Sequence, residues 1–210
     1  MDTNLIFGNI VYIVIALFFL KGALYMVKQK HAVIIERLGK FNKVSKAGLH
    51  FKIPLIDSIA GNVNLRVREL PVEVETKTKD DVFVRIVVSV QFFVIDAPVG
   101  IKDSFYELNN PEQQIQSYVF DSIRSEVPMM ELDDVFAEKE KIALAVKTEL
   151  SDTMRQFGFD FIKALVTDID PDAKVKHSMN EINAAKRMKE AAKEEAAAAK
   201  IRVVAAAEAD

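Results

Sequence analysis

The chain has 210 residues, half of them apolar and 28% charged, with a net charge of -3. That composition buries a core and offers no basic excess for nucleic acid, so a disordered tail and a nucleic-acid partner are both excluded. Cysteine is absent, which removes disulfides, thiolate zinc sites, a thiol nucleophile and palmitoylation; the seven glycines are too scattered for a phosphate loop, and no cofactor or metal is expected.

The first predicted element is a membrane anchor within residues 1–30. Leu5 to Val27 is almost wholly apolar and carries one charge, Lys21. As a helix it would be about 35 Å long, against a hydrocarbon core of about 30 Å. Leu5, Ile10, Val14, Leu17, Phe18, Phe19 and Leu20 would meet acyl chains, and Lys21 would snorkel to the headgroups. The leader MDTN has no Lys or Arg and no A-x-A site follows, which favours a retained anchor over a secretory signal. Lys28, Lys30, Arg37, Lys40, Lys43 and Lys46 follow it, so a spanning helix puts the bulk of the chain on the cytoplasmic side. A re-entrant hairpin would put both ends there, and the sequence leaves that choice open. Asp2 excludes N-myristoylation.

Period-two patterning comes next and predicts strands. Ala32 to Leu38 is one. Val63, Leu65 and Val67 alternate with polar residues, as do Val72, Val74, Thr76 and Thr78. From Val82 to Val94 every even position is apolar, and Lys79-Asp80-Asp81 is the expected turn before it. Such alternation suits a sheet wet on one face and packed on the other.

Helical signals follow. Asp96 is a candidate cap for a short helix with Pro98 in its first turn. Asn110-Pro111-Glu112-Gln113 has the form of an N-cap, a Pro at the first helical position and a capping Gln. Ile115, Tyr118, Val119 and Ile123 then share a face, and Pro128 ends the helix. A longer helix is predicted from about Asp133 to Phe157, with Gly158 as its stop. Phe161 to Ile169 reads as a returning strand, closed by Asp170-Pro171. Strands, then helices, then one strand indicate α+β packing.

From Lys176 the chain becomes a strong helix former. Residues 184–210 hold 12 alanines and no Gly or Pro. Ala185, Met188, Ala192, Ala196, Ala199, Val203 and Ala207 follow an 11-residue repeat, which favours a nearly straight or slightly right-handed bundle. Small seam residues bury little each, so the helix needs neighbours. A solvated single helix is the alternative. The pattern stops without a C-cap, so the helix is expected to continue in a longer parent protein or to end by fraying.

This order of parts, with ERLGKF (36–41), AGLHFKIPLID (47–57), VETKTKDDVFVRIVVSVQFFVID (74–96), IRSEVPMMELDDVFAEKEKIA (123–143) and FGFDFIKALVTDIDPDAKVKHSMNEINAAKRMKEAA (157–192), resembles the SPFH or band-7 superfamily of stomatins, prohibitins and flotillins. It is most similar in flavour to the hypersensitive-induced-response and bacterial stomatin-like branch. The resemblance implies a membrane segment at 1–30, a β-rich first SPFH subdomain at 31–96, an α/β second subdomain at 97–175 and a coiled-coil wall from 176 to 210. It implies a non-enzymatic scaffold whose copies form a ring or cage on the membrane and organise a microdomain. Partners would be lipids, further copies of the chain and membrane proteases or channels. A regulatory adaptor that restrains one protease or channel is the alternative.

Phe51, Ile53, Pro54, Leu55 and Ile56 make an apolar loop soon after the anchor. It would dip into the leaflet, with Lys43, Lys46 and Lys52 meeting anionic headgroups; ordinary core is the competing reading. The charges Arg66, Arg68, Glu69, Glu73, Glu75, Lys77 and Lys79 either pair between subunits or form a wet face. Asp168, Asp170 and Asp172 have alternate spacing but lack the rest of a calcium loop, so they read as a strand end and helix cap. Nothing in the pattern assembles a nucleophile with a base, and no catalysis is expected.

Overall fold

The computed structural model describes residues 22–207, with side chains described to residue 200. Leu5, Ile10, Val14, Leu17, Phe18, Phe19, Leu20 and Lys21 of the expected anchor therefore lie outside the described residues. Gly22 and Ala23 have helical backbone, and then the chain changes. Leu24–Val27 is a strand, β1, and no helix among the described residues is long and apolar enough to cross a membrane. The expectation of a helix reaching Val27 is thus corrected. Its last four residues pair antiparallel with β4 (Gly48–Phe51). This pairing buries Val27 beside Val33 and Ile35, a gain that helix propensity in four residues cannot match.

Strands β2 (His31–Arg37), β3 (Lys40–Ser45) and β5 (Asp57–Asn64) form a second sheet, ordered β3-β2-β5. The strand expected through Val67 ends at Asn64. The largest sheet is β6 (Arg68–Lys77), β7 (Phe83–Val94) and β8 (Phe159–Pro171), all antiparallel with β7 central. Even positions of β7, from Val84 to Val94, are buried, as the alternation requires. A division between residues 96 and 97 runs through this sheet, because β7 hydrogen-bonds with the much later β8.

Four helices sit between β7 and the C-terminal helix or pack beneath the large sheet: α1 (Pro98–Tyr106), α2 (Pro111–Glu126), α3 (Leu132–Ala137) and α4 (Lys139–Met154). Helix α2 lies against β6, and α4 against β8 and α2. Ile115, Val119 and Ile123 on α2, with Ile142, Val146, Leu150 and Met154 on α4, are fully buried against the sheet's inner face. Asn110 caps α2 as its motif predicts, its side chain accepting from the Gln113 amide at 3.3 Å. Asp96 does not cap α1. Ala97 holds that position without a side-chain bond, and Asp96 pairs with Lys46 at 2.7 Å. The long helix expected over 133–157 is broken at Glu138, whose φ of -106° and ψ of 27° leave the helical region. The break lets Leu132 and Val135 enter the core on a separate short helix.

Gly158 stops the final turn with φ at 80°, where its carbonyl accepts from Ile95 N at 2.9 Å. A Cβ there would lie 2.0 Å from the Gly100 carbonyl oxygen. Helix α1 joins the sheets: the Phe105 ring sits on Gly61 of β5, and the Tyr106 hydroxyl donates to Glu36 of β2 at 2.6 Å. Beyond β8 the chain becomes α5 (Ala173–Ala207), 35 residues and about 52 Å long.

Candidate membrane-facing surface and assembly helix

Strand alternation decides what the β1–β4 ribbon shows. Leu24 pairs with Phe51 and Met26 with Leu49, so these four side chains share one face. All four are exposed. The opposite face carries Tyr25 and Val27. Tyr25 stacks on His50 with centroids 5.6 Å apart and bonds Ser45 Oγ at 2.5 Å; His50 donates to the Lys46 carbonyl at 2.6 Å. One side of the ribbon is anchored to the protein, and the other is apolar and bare.

Two turns extend this bare surface. The β2–β3 hairpin turns at Leu38 and Gly39, with φ of 52° and 78°. A two-residue turn with both φ positive ordinarily takes Asn-Gly. Leucine in that conformation is strained, and here its side chain is 78% exposed. Leu55, in the loop between β4 and β5, repeats the pattern with φ at 72° and 90% exposure. The turns meet where Leu38 N donates to Ile56 O at 3.2 Å. Two leucines held in strained backbone and aimed at solvent point to function rather than folding.

The predicted loop residues accordingly lie at the surface: Phe51, Ile53, Leu55 and Ile56 are exposed and Pro54 is half-buried. The loop is held from below. Asp57, itself buried, accepts from Arg37 Nε at 2.8 Å, Arg37 Nη2 at 3.3 Å and Ile53 N at 2.9 Å. The Arg37 guanidinium, followed by the Ile53 amide, lowers the Asp57 carboxyl to about 2. The loop also abuts the point where the N-terminal segment enters the fold: Lys52 N donates to Ala23 O at 2.8 Å, and a Cβ on Gly22 would lie 3.7 Å from Pro54. Between residues 22 and 57 the chain carries seven cations and only Glu36 and Asp57 as acids. Lys43 donates to the Phe51 carbonyl at 3.1 Å, beside the apolar face.

Leu38, Leu49 and Asp57 were not legible as site residues, and Leu24 and Met26 were read as the end of the anchor helix. The usable signal was Leu-Gly standing where a tight hairpin favours Asn-Gly.

Helix α5 is the second candidate surface. Val175 and Met179 at its root pack on the core. Asp172 caps it, accepting from Lys174 N at 2.9 Å. Asp170 accepts from Lys176 at 2.8 Å and from Arg85 at 3.0 Å, and Arg85 also reaches Glu73 at 3.3 Å. Lys176 and Arg85, in that order of weight, hold the Asp170 carboxyl below its usual range. Past Met179 the described side chains are exposed, Ala185, Met188, Ala192, Ala196 and Ala199 included. Val203 and Ala207 lie within the helix, but their side chains are outside the described residues. Among the strand charges, Arg68 pairs with Glu112, Glu73 with Arg85, Lys77 with Asp81 and Lys79 with Glu131, while Glu69 accepts from Ser89. Among the described residues no group of side chains is arranged to hold a metal ion.

The sequence pattern of the SPFH domain / Band 7 family matches residues 25–200. The chain is 43% identical to hypersensitive-induced response protein 4 of Arabidopsis thaliana over 185 residues, which is 88% of this chain and 63% of the plant protein. It is 30% identical to an uncharacterised protein of Methanocaldococcus jannaschii over 180 residues, 85% of this chain and 88% of that one. A stomatin-like protein of Caenorhabditis elegans is 29% identical over 169 residues, 79% of this chain and 50% of the worm protein. The chain thus spans about half to two-thirds of the plant and worm relatives.

Proposed function

Because the chain belongs to the SPFH/Band 7 family, whose members are membrane-associated scaffolds, we propose that it is a non-enzymatic scaffold that assembles with its own copies on a bilayer and organises the enclosed membrane. Its N-terminal apolar segment attaches it, the body lies on the cytoplasmic surface, and α5 stands beside its neighbours as a wall. With Leu24–Val27 in a strand, the apolar run left for a helix is Leu5–Ala23, about 28 Å, still close to a hydrocarbon thickness.

The observation that carries this reading is the bare apolar face of Leu24, Met26, Leu49 and Phe51, flanked by Leu38 and Leu55, where residues 22 and 23 enter the fold. Magnitudes divide the labour. A leucine taken fully out of water contributes about 1.5–3 kcal/mol, and these side chains reach only the interface, so the face orients the body while the N-terminal segment holds it. Nearby lysines add attraction to anionic headgroups.

The test uses the natural absence of cysteine. The full chain carrying Leu55→Cys, labelled with an environment-sensitive dye, is mixed with vesicles of phosphatidylcholine and phosphatidylserine. A blue shift and quenching by brominated acyl chains are expected from the dye at position 55, with neither from a Lys147→Cys control. A water-exposed signal at both positions rejects the membrane-facing assignment. Native mass spectrometry in mild detergent tests assembly: a large closed particle supports the scaffold, and a monomer or dimer with a stoichiometric partner supports the adaptor.

A further inference from the structure

The large sheet carries a cluster of acids on one edge strand and a cluster of lysines beside the other. On edge strand β6, Glu69, Glu73 and Glu75 are exposed on the outer face with one cation, Lys77; Lys77 pairs with Asp81, Glu73 with Arg85, and Glu69 accepts from Ser89, while Glu75 has no ion-pair partner among the described residues. At the other edge, α4 and β8 enclose an open groove of about 670 Å3 with Leu144 and Leu165 in its floor. Its rim holds Lys139, Lys141, Lys147 and Lys163 against one acid, Glu140. Lys141 pairs with Glu138; Lys139, Lys147 and Lys163 have no ion-pair partner among the described residues. Leu144 is 63% exposed, so the groove combines uncovered apolar area with uncompensated positive charge.

We propose that this groove is a docking site for a second copy of the chain, which inserts the acidic outer face of its β6, and that the contact repeats head to tail. The proposal rests on the assembly reading above and deepens it by naming the surfaces. Charge complementarity selects the occupant: both halves of the pair belong to one chain, on opposite edges of one sheet. Such a heterologous contact generates a ring or filament rather than a two-fold dimer. The spacings agree. Glu69 and Glu73 are about 13 Å apart along a strand, and Lys139 and Lys147 about 12 Å along a helix. Backbone pairing between the edges is blocked. Pro71 removes a donor from β6, and β8 has register shifts at two places, so the contact is made by side chains.

Three full-length variants in mild detergent test this: Lys139→Glu/Lys147→Glu/Lys163→Glu, Glu69→Lys/Glu75→Lys, and all five changes together. Each partial variant should assemble at least about tenfold more weakly than the unaltered chain, through like-charge repulsion. The five-fold variant should regain the particle, because its charges are complementary again. Unchanged assembly in the partial variants, or no recovery in the combined one, overturns the proposal. A chain with Glu75→Cys and Lys147→Cys gives a second readout that does not depend on charge reversal. A bis-maleimide linker should yield a ladder of covalent multimers from the doubly substituted chain and at most dimers from either single one; monomer alone overturns the contact. An acidic peptide binding the groove without these multimers would reassign the site to another partner. If the unaltered chain is itself monomeric, the assembly reading falls; if it assembles but the variants behave like it, only this contact falls.

Discussion

The folded body and the helix that leaves it solve the burial problem in opposite ways. In the body, residues 24–171 sort apolar from polar with period two in strands and about 3.6 in helices, and the sorted faces close on each other. In α5 the same chain places alanines at the positions expected to form a seam, and beyond Met179 the described side chains are exposed. The body's free energy is internal. A helix with so little of its surface buried gains most of its stability from neighbours, which the proposed assembly would supply. Damage to one should therefore leave the other readable, and this separation is what the following changes are designed to break.

The largest effect is expected at Gly158. An added methyl meets the Gly100 carbonyl at 2.0 Å, on backbone whose φ of 80° already disfavours L side chains. Gly158→Ala should cost about 3 kcal/mol or more, read as a lower denaturant midpoint for the body. Retained stability would mean that the α1 turn shifts freely, which contradicts its role as the joint between sheets. Next is the helix. Ala192→Leu, Ala196→Leu and Ala199→Leu together should change particle size by forcing close helices apart. The same variant should melt with the wild-type body, since those positions touch no core. An unchanged particle would place the seam in another helical phase; a lowered body transition would deny that the two regions are independent.

What was legible in the sequence follows the same division. The even positions of β7, the Asn110 cap and the Gly158 stop are local signals, and each appears in the fold where the residues put it. Non-local pairing was not legible. Nothing in LYMV announces that it leaves a helical register to pair with GLHF some twenty residues later, or that β8 joins β7 across the helices. The break at Glu138 was hidden because its neighbours are good helix formers, and only the demand of Leu132 and Val135 for the core displaces it. For the surface, the sequence located the apolar loop at 51–56. Its companions Leu24, Met26, Leu38 and Leu49 needed the ribbon register before they could be assigned to a face.

A smaller effect should come from acid. The Asp57 carboxyl is held at about 2 by Arg37 and the Ile53 amide, below the usual value near 3.9. A group lowered on folding stabilises the protein fully above its unfolded pKa, and that contribution is lost as pH falls through the folded value. Thermal stability should therefore decline between about pH 4 and pH 2. The Asp80 and Asp170 carboxyls, held low by Thr78 and Lys176 respectively, contribute in the same direction. Asp57→Asn should flatten the slope in this window and loosen the 53–56 loop, raising amide exchange at Ile53. Identical slopes in both proteins would show that Asp57 does not govern the loop.

The smallest effect is expected where the two regions join. Arg85 links Glu73 on β6 to Asp170 on β8, and Asp170 also accepts from Lys176 on the first turns of α5. These groups are largely solvated, so the bonds add little stability, and Arg85→Ala should leave the melting temperature close to wild type. Direction is another matter. Past Met179 no core contact among the described residues sets the angle at which α5 leaves the sheet, so this network and the Asp172 cap are expected to carry that task. An error of a few degrees at the root of a helix about 50 Å long displaces its far end by several ångströms. Arg85→Ala with Lys176→Ala should therefore widen the spread of distances between a label on the body and one at Lys193, measured by double electron–electron resonance in the assembled protein. A spread as narrow as wild type would mean that the packing of Val175 and Met179 alone fixes the exit, and that the charges at the junction are ornamental.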